Sequence, residues 1–219
     1  MTWNKVQRWV GGVFVVALAP MVALTWTIRP ADASAQAVTS TTAKIKSFDL
    51  AFDYPASWTV FAFDAKALAQ QRKRLLKANP KLANVFDGQA ESAAAQGYEF
   101  AAVDLDAAGS GRAISAISVS SMDGFPSSLK ALVDEIKPIY EKSGASLIDS
   151  SVQRVSGRRS FRIDIRITFK TPTGETVAMR MSQLAVPRGV GTALITIGAP
   201  DGAEGSALID SILASVREL

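Results

Sequence analysis

The residues of this chain that could do chemistry are arginines, lysines, hydroxyl residues and carboxylates, because the sequence contains neither histidine nor cysteine. The absence of histidine and cysteine excludes Ser-His-Asp and Cys-His catalytic sets, histidine and thiolate metal sites, and attachment through a lipidated cysteine. The familiar arrangements that remain are carboxylate pairs, Ser-Lys sets, tyrosine or lysine chemistry and cation sites built from oxygen ligands.

Paired carboxylates could serve a hydrolase of the glycosidase type, which places two carboxyl groups across a cleft. The candidates are Asp104, Asp106, Asp164 and Glu175. Nothing in their spacing pairs them. Asp104 and Asp106 also begin the spacing of a calcium loop, but Ala108 stands where a third oxygen ligand is needed. We therefore predict no catalytic residue, no metal ligand and no cofactor, and keep the envelope hydrolase as an alternative.

Candidate binding residues lie on a segment of strict alternation. From Phe161 to Lys170, apolar residues alternate with polar ones, which is typical of a strand with one buried face. If Arg166 lies opposite Arg180 in the next strand, apolar residues pair along the other face of the whole hairpin.

That register gathers three guanidinium groups around one carboxylate, an arrangement that could recognise an anionic group. The predicted ligand site consists of Arg162, Asp164, Arg166 and Arg180. The alternative is a solvated sheet face, on which the arginine stems cover neighbouring apolar surface.

The elements around this hairpin predict an α+β domain. Strands are expected over 47–54, 58–63, 98–105, 112–121, 146–155, 157–170, 176–186 and 192–197. The first two are expected to form a hairpin and the last four an antiparallel meander. Helices are expected within 64–97, from about 127 to 143, and after Gly202. The architecture is then an antiparallel sheet of about six to seven strands between helical layers.

The first 37 residues have the layout of a secretory signal. Lys5 and Arg8 precede an uncharged run at 9–28, and small-residue cleavage sites end at Ala35 and Ala37. We predict a signal peptide or anchor at 1–37, a linker at 38–46 and one domain at 47–219, with a helical insertion at about 64–97.

The uncharged run is 20 residues long, from Trp9 through Val16 to Ile28. That length is just enough to cross a hydrocarbon layer about 30 Å thick, so an uncleaved membrane anchor stays open beside the cleaved signal. With the basic residues held inside, either alternative places the domain outside the cytoplasmic membrane, in the envelope or the medium.

The net charge of +4 gives no strong electrostatic reason to expect nucleic acid as a partner. Lys5, Arg8 and Arg29 against Asp32 supply +2 of it before residue 38. The remaining residues therefore carry only +2.

The order of motifs resembles a known family. A strand running into Tyr54-Pro55-x-x-Trp58 opens the domain, the hairpin Val155-Ser156-Gly157-Arg158-Arg159 leads into the meander, and a helix with Ile209-Asp210-Ser211-Ile212 closes it. This order is similar to the PsbP-like superfamily, and within it to actinobacterial LpqN-type secreted or envelope proteins, although the lipobox cysteine is missing. The resemblance covers roughly residues 45–219.

The resemblance implies an antiparallel sheet between helical layers and a binding or scaffolding role in place of catalysis. It supplies no functional residue. The predicted function is an exported, non-enzymatic domain that binds an envelope protein, a lipid or a small ligand. A membrane-tethered accessory subunit of an envelope complex, held by residues 9–28, is the alternative, and the carboxylate-dependent hydrolase is the third possibility.

Overall fold

The computed structural model describes residues 39–61, 69–71, 73, 98–109, 114–170, 176–189 and 191–219. The predicted leader with Ala35 and Ala37 lies outside them, and so does the predicted insertion at 64–97 except for residues 69–71 and 73, which are helical. Within the described ranges, no helix has the length and apolar composition to cross a bilayer.

Besides the helical residues 69–71 and 73, this described part contains ten strands, a 3-10 helix at Lys46–Phe48 and three bounded α-helices. The strands are β1 (Ser40–Ile45), β2 (Leu50–Pro55), β3 (Thr59–Val60), β4 (Tyr98–Val103), β5 (Ala116–Met122), β6 (Ala145–Val155), β7 (Arg158–Lys170), β8 (Thr176–Arg188), β9 (Gly191–Pro200) and β10 (Arg217–Glu218). The helices are α1 (Leu105–Gly109), α2 (Leu129–Lys142) and α3 (Ala203–Ala214). The strands form a seven-stranded antiparallel sheet, ordered β3-β4-β5-β9-β8-β7-β6, and a three-stranded sheet, ordered β1-β2-β10. The predicted fold class is confirmed.

The central hairpin of β7 and β8 has the predicted register. Arg166 lies opposite Arg180, and Ile165 lies opposite Met181. Ile165 and Met181 are buried, whereas Arg166 is exposed on the other face. The alternation therefore fixes which side chains enter the core, since a shift by one residue would exchange the two faces.

The two faces of the large sheet are covered differently. Helix α2 packs its buried side chains, Leu132, Ile136 and Tyr140, on the face that carries Ile163 and Ile165. Its start is fixed by Ser128, whose Oγ accepts a hydrogen bond from the Ala131 N–H at 3.0 Å.

Helix α3 and strands β1 and β2 of the small sheet cover the opposite face. Helix α3 approaches the sheet closely at Gly205, where an added Cβ would lie 1.9 Å from the Pro200 carbonyl oxygen. That approach brings the polar side of α3 against the arginines of β7 and β8.

The N-terminal pairing differs from the sequence prediction. The segment expected to be a linker, 38–46, contains the edge strand β1, with Ala43 and Ile45 buried. Strand β2 pairs with β1 and β10, and β3 pairs with β4, so the expected first hairpin does not form. The polar composition of β1 reflects its exposed face, and the pairing of residue 51 with residue 217 leaves no local signal.

Candidate functional site

The predicted ligand residues come together on the α3 side of the sheet; Arg162, Asp164, Arg166 and Arg180 are called the sheet-face cluster below. At its centre Asp164 is 2% exposed. Arg162 Nε lies 3.1 Å from Oδ1 of this carboxylate, and Arg180 Nη2 lies 3.0 Å from Oδ2. The Ser182 hydroxyl also donates to Oδ1. Both oxygens of the carboxylate are therefore occupied by protein donors.

Helix α3 and Asp201, two residues before its start, provide further partners for the same arginines. Arg162 Nη2 lies 2.6 Å from Asp210 Oδ1, and Arg166 Nε lies 2.8 Å from Asp201 Oδ2. Burial lowers the pKa of Arg162, but its hydrogen bonds to Asp210 and Asp164 outweigh that effect, so the pKa is raised overall. The guanidinium of Arg162 therefore stays charged between two carboxylates.

The sheet-face cluster is thus balanced in charge. Its three guanidinium groups meet the carboxylates of Asp164, Asp201 and Asp210, which an anionic ligand would have to displace. The arrangement can hold α3 against the sheet. Anion binding at these residues stays a prediction, and this geometry favours the structural role.

A second group of charged residues, not predicted from the sequence, lies near the turn between β6 and β7. It consists of four arginines and one glutamate and is called the hairpin-end cluster: Arg154, Arg158, Arg159, Arg188 and Glu218. The turn consists of Ser156 and Gly157, whose φ angles are +48° and +80°. Such a two-residue turn matches the twist of the strands that it joins. It places Arg154 opposite Arg159.

The C-terminal strand β10 brings an acidic residue to this turn. The Glu218 N–H donates to Ser156 Oγ at 2.9 Å. Glu218 Oε1 lies 2.7 Å from Arg188 Nη1 and 3.4 Å from Arg158 Nη2. Two arginines therefore share one carboxylate oxygen.

The arginines near the turn stand together in the sequence, but Arg188 and Glu218 come from distant positions. Neither Arg154 nor Arg159 forms an ion pair with a carboxylate of the described residues; Arg154 Nη1 donates to the Gly157 carbonyl, and the Arg159 guanidinium lies 4.9 Å from the centre of the Phe161 ring. A concentration of basic residues at 154–159 is the one signal that sequence reasoning could have used.

Of the four carboxylates considered for hydrolysis, Asp104, Asp106 and Asp164 lie in the described part of the chain. Asp104 Oδ1 accepts a hydrogen bond from the Ala107 N–H at 2.9 Å and so begins helix α1, which also contains the exposed Asp106. Asp164 belongs to the sheet-face cluster, and Glu175 lies outside the described residues. In the described part of the chain, no three or more acidic residues are grouped as a metal site would require.

Comparison with solved structures shows the fold. The cyanobacterial PsbP protein CyanoP of Synechocystis aligns with a TM-score of 0.50 at 13% identity, over 87% of this chain and 98% of that one. The Ran-binding protein Mog1p of Saccharomyces cerevisiae aligns with a TM-score of 0.43 at 9% identity, over 83% and 96%.

LpqN of Mycobacterium tuberculosis, described as involved in cell envelope biogenesis, aligns with a TM-score of 0.40 at 11% identity, over 84% of this chain and 86% of that one. No protein-family model matches the sequence, and no curated protein matches it either. The likeness to CyanoP shows that the domain has a PsbP-like fold, as the order of its motifs implies.

Proposed function

We propose that this chain, whose domain has a PsbP-like fold, is an exported, non-enzymatic binding or accessory domain of the cell envelope. The proposal rests on the observation that two of the candidate carboxylates accept hydrogen bonds from other groups of the protein. Asp164 accepts hydrogen bonds from two arginines, and Asp104 accepts one from a backbone amide. Carboxylates held in this way stabilise the fold, whereas a hydrolase needs two that face a substrate.

Export is supported by the leader. A basic start, an uncharged run and small-residue sites direct a chain across the cytoplasmic membrane in either of two forms. Cleavage after Ala35 or Ala37 would release a free domain, and retention of residues 9–28 would tether it as an accessory subunit.

Two measurements test the location. A reporter enzyme that is active only outside the cytoplasm, fused after Leu219, should be active, and deletion of residues 9–28 should abolish its activity. Mass spectrometry of the native N-terminus then separates the forms. A start at Gln36 or Val38 indicates a free domain, and a start at Met1 or Thr2 indicates a tethered one. An inactive fusion to the intact chain would contradict export.

The non-enzymatic part has its own test. Purified protein incubated with envelope glycans should release no sugar. Release that is lost in an Asp104→Asn or Asp106→Asn variant would overturn the proposal and favour the carboxylate-dependent hydrolase.

A further inference from the structure

Arg188, at the end of β8, holds two of the four buried side-chain nitrogen atoms that have no hydrogen-bond partner in the described part of the molecule; the other two are Arg180 Nε and Gln183 Nε2. The Arg188 side chain is only 4% exposed. Nη1 is bound to Glu218, but Nε and Nη2 are buried and neither has a hydrogen-bond partner among the described residues. A buried donor without a partner costs about 1–3 kcal/mol, and more when it belongs to a charged group. Buried donors of this kind are rare in folded proteins, and a bound ligand with acceptor oxygens would satisfy them.

The two unpartnered atoms define the chemistry of that ligand. The N–H groups of Nε and Nη2 point in parallel from one edge of a guanidinium and match two oxygens of one carboxylate or phosphate. Arg158 adds a second guanidinium, because its Nη2 reaches the same Glu218 oxygen. We propose that Arg188 and Arg158 form a binding site for a phosphate group, which the carboxylate of Glu218 occupies when no ligand is bound.

Glu218 is well placed to be displaced. It belongs to the two-residue strand β10, and its side chain is 38% exposed, so it can rotate into solvent without disturbing the core. Its departure would leave Arg188 free to turn its paired Nε and Nη2 edge toward a ligand.

Competition with Glu218 also favours phosphate over a carboxylate ligand. An intramolecular carboxylate has a high effective concentration, so a ligand with the same single charge would displace it poorly. A phosphate monoester carries a charge of about −1.5 to −2 and three acceptor oxygens, enough to bind both arginines at once. Arg154 and Arg159 pair with each other on the opposite face of the sheet, so they add only long-range positive potential around the turn.

The test uses the protein expressed from its full coding sequence and purified as the cell processes it, with inorganic phosphate as the probe. Calorimetric titration should show saturable binding by the unchanged protein. Glu218→Gln removes the competing charge and should raise the affinity about tenfold. Arg188→Lys keeps the charge but loses the two-donor edge, so it should lower the affinity about tenfold or more.

Two further variants keep the result interpretable. Arg158→Ala alters a side chain that is 51% exposed, so this variant should fold and still lose most of the affinity even if Arg188→Lys does not fold. Arg166→Lys, in the carboxylate-paired sheet-face cluster, is the matched control and should bind phosphate as the unchanged protein does. Equal affinity in the unchanged protein, Glu218→Gln and Arg158→Ala would overturn the site.

Vesicles identify the source of the phosphate group. Retention on phosphatidic acid vesicles, above that on phosphatidylcholine vesicles and lost in Arg158→Ala, indicates a lipid headgroup. Saturable binding of inorganic phosphate without such retention indicates a soluble phosphate compound. Absence of both overturns the inference. The inference deepens the proposed binding role, but export is measured separately by the reporter and the N-terminal mass, so either can fail alone.

Discussion

The sheet-face cluster and the hairpin-end cluster use the same side chain in opposite ways. On the sheet face, each arginine meets at least one carboxylate, and the central Asp164 is fully buried between them. At the hairpin end, two arginines share one oxygen of Glu218, and Arg188 keeps two buried atoms without a partner in the described residues. In the first cluster Arg180 Nε is buried without a hydrogen-bond partner among the described residues, but every guanidinium contacts a carboxylate; in the second, two such atoms lie on the single guanidinium of Arg188.

The counterions that distant elements bring to a group of arginines decide whether it binds a ligand or ties parts of the fold together. Helix α3 supplies Asp210 to the sheet face, whereas β10 supplies a single shared carboxylate to the hairpin end. Satisfied pairs stabilise the fold, and unsatisfied ones lower stability in exchange for affinity.

Removal of the buried carboxylate should have the largest effect. Asp164→Ala leaves Arg162 and Arg180 partly buried without their central partner, and breaking a buried ion pair in this way lowers the free energy of unfolding by about 3–5 kcal/mol. Urea denaturation measures it. The control is Asp134→Ala, whose carboxylate is 60% exposed in the Lys130 pair and should cost less than about 1 kcal/mol. Equal losses would remove the distinction between buried and exposed pairs.

The ion pair between Asp210 of α3 and Arg162 of the sheet should contribute less to stability than Asp164 does. Asp210 is 56% exposed and holds one edge of the mostly buried Arg162, so Asp210→Ala should lower the free energy of unfolding by about 1 kcal/mol. Faster amide exchange in α3 than in α2 would localise the loss. A loss in free energy of unfolding as large as that of Asp164→Ala would mean that the cluster stabilises the fold mainly through helix α3 and not through the buried carboxylate.

The hairpin end should respond differently. Arg188→Met removes one ion pair with a partly exposed glutamate but also two unsatisfied buried donors, and hydrophobic replacement of buried ions is often neutral or stabilising. We expect the free energy of unfolding to change by less than about 1 kcal/mol, measured under the same denaturation conditions. A loss of several kcal/mol would make Arg188 a structural residue and end the contrast between the clusters.

The sequence predicted the parts of this comparison that depend on local pattern. Alternation along β7 predicted the register with β8, and through it the meeting of Arg166 with Arg180. The counterions could not be predicted, because Asp210 and Glu218 come from elements whose packing is set by long-range contacts. Long-range contacts also explain why β1 and β10 were not predicted. The polar β1 and the two-residue β10 pair only when the two ends of the domain meet at β2.

The solvent-exposed ion pair of Arg217 and Asp53 should have the smallest effect on stability. Arg217 binds Asp53 through two nitrogens, at 3.0 and 3.2 Å, and this contact, with the Thr42 hydroxyl, lowers the pKa of Asp53 from its ordinary value of 3.8. Because the pKa is lowered in the folded state, the stabilisation is complete above pH 3.8 and disappears as the pH falls through the folded pKa.

The variant Asp53→Asn should therefore unfold more easily than the unchanged protein at pH 7, by less than about 1 kcal/mol for a solvent-exposed pair. The difference should vanish in strong acid, since both side chains are then neutral. Denaturation midpoints measured from pH 7 down through the acid range give the comparison. A difference that grows on acidification would mean that Asp53 is held by something other than its charge.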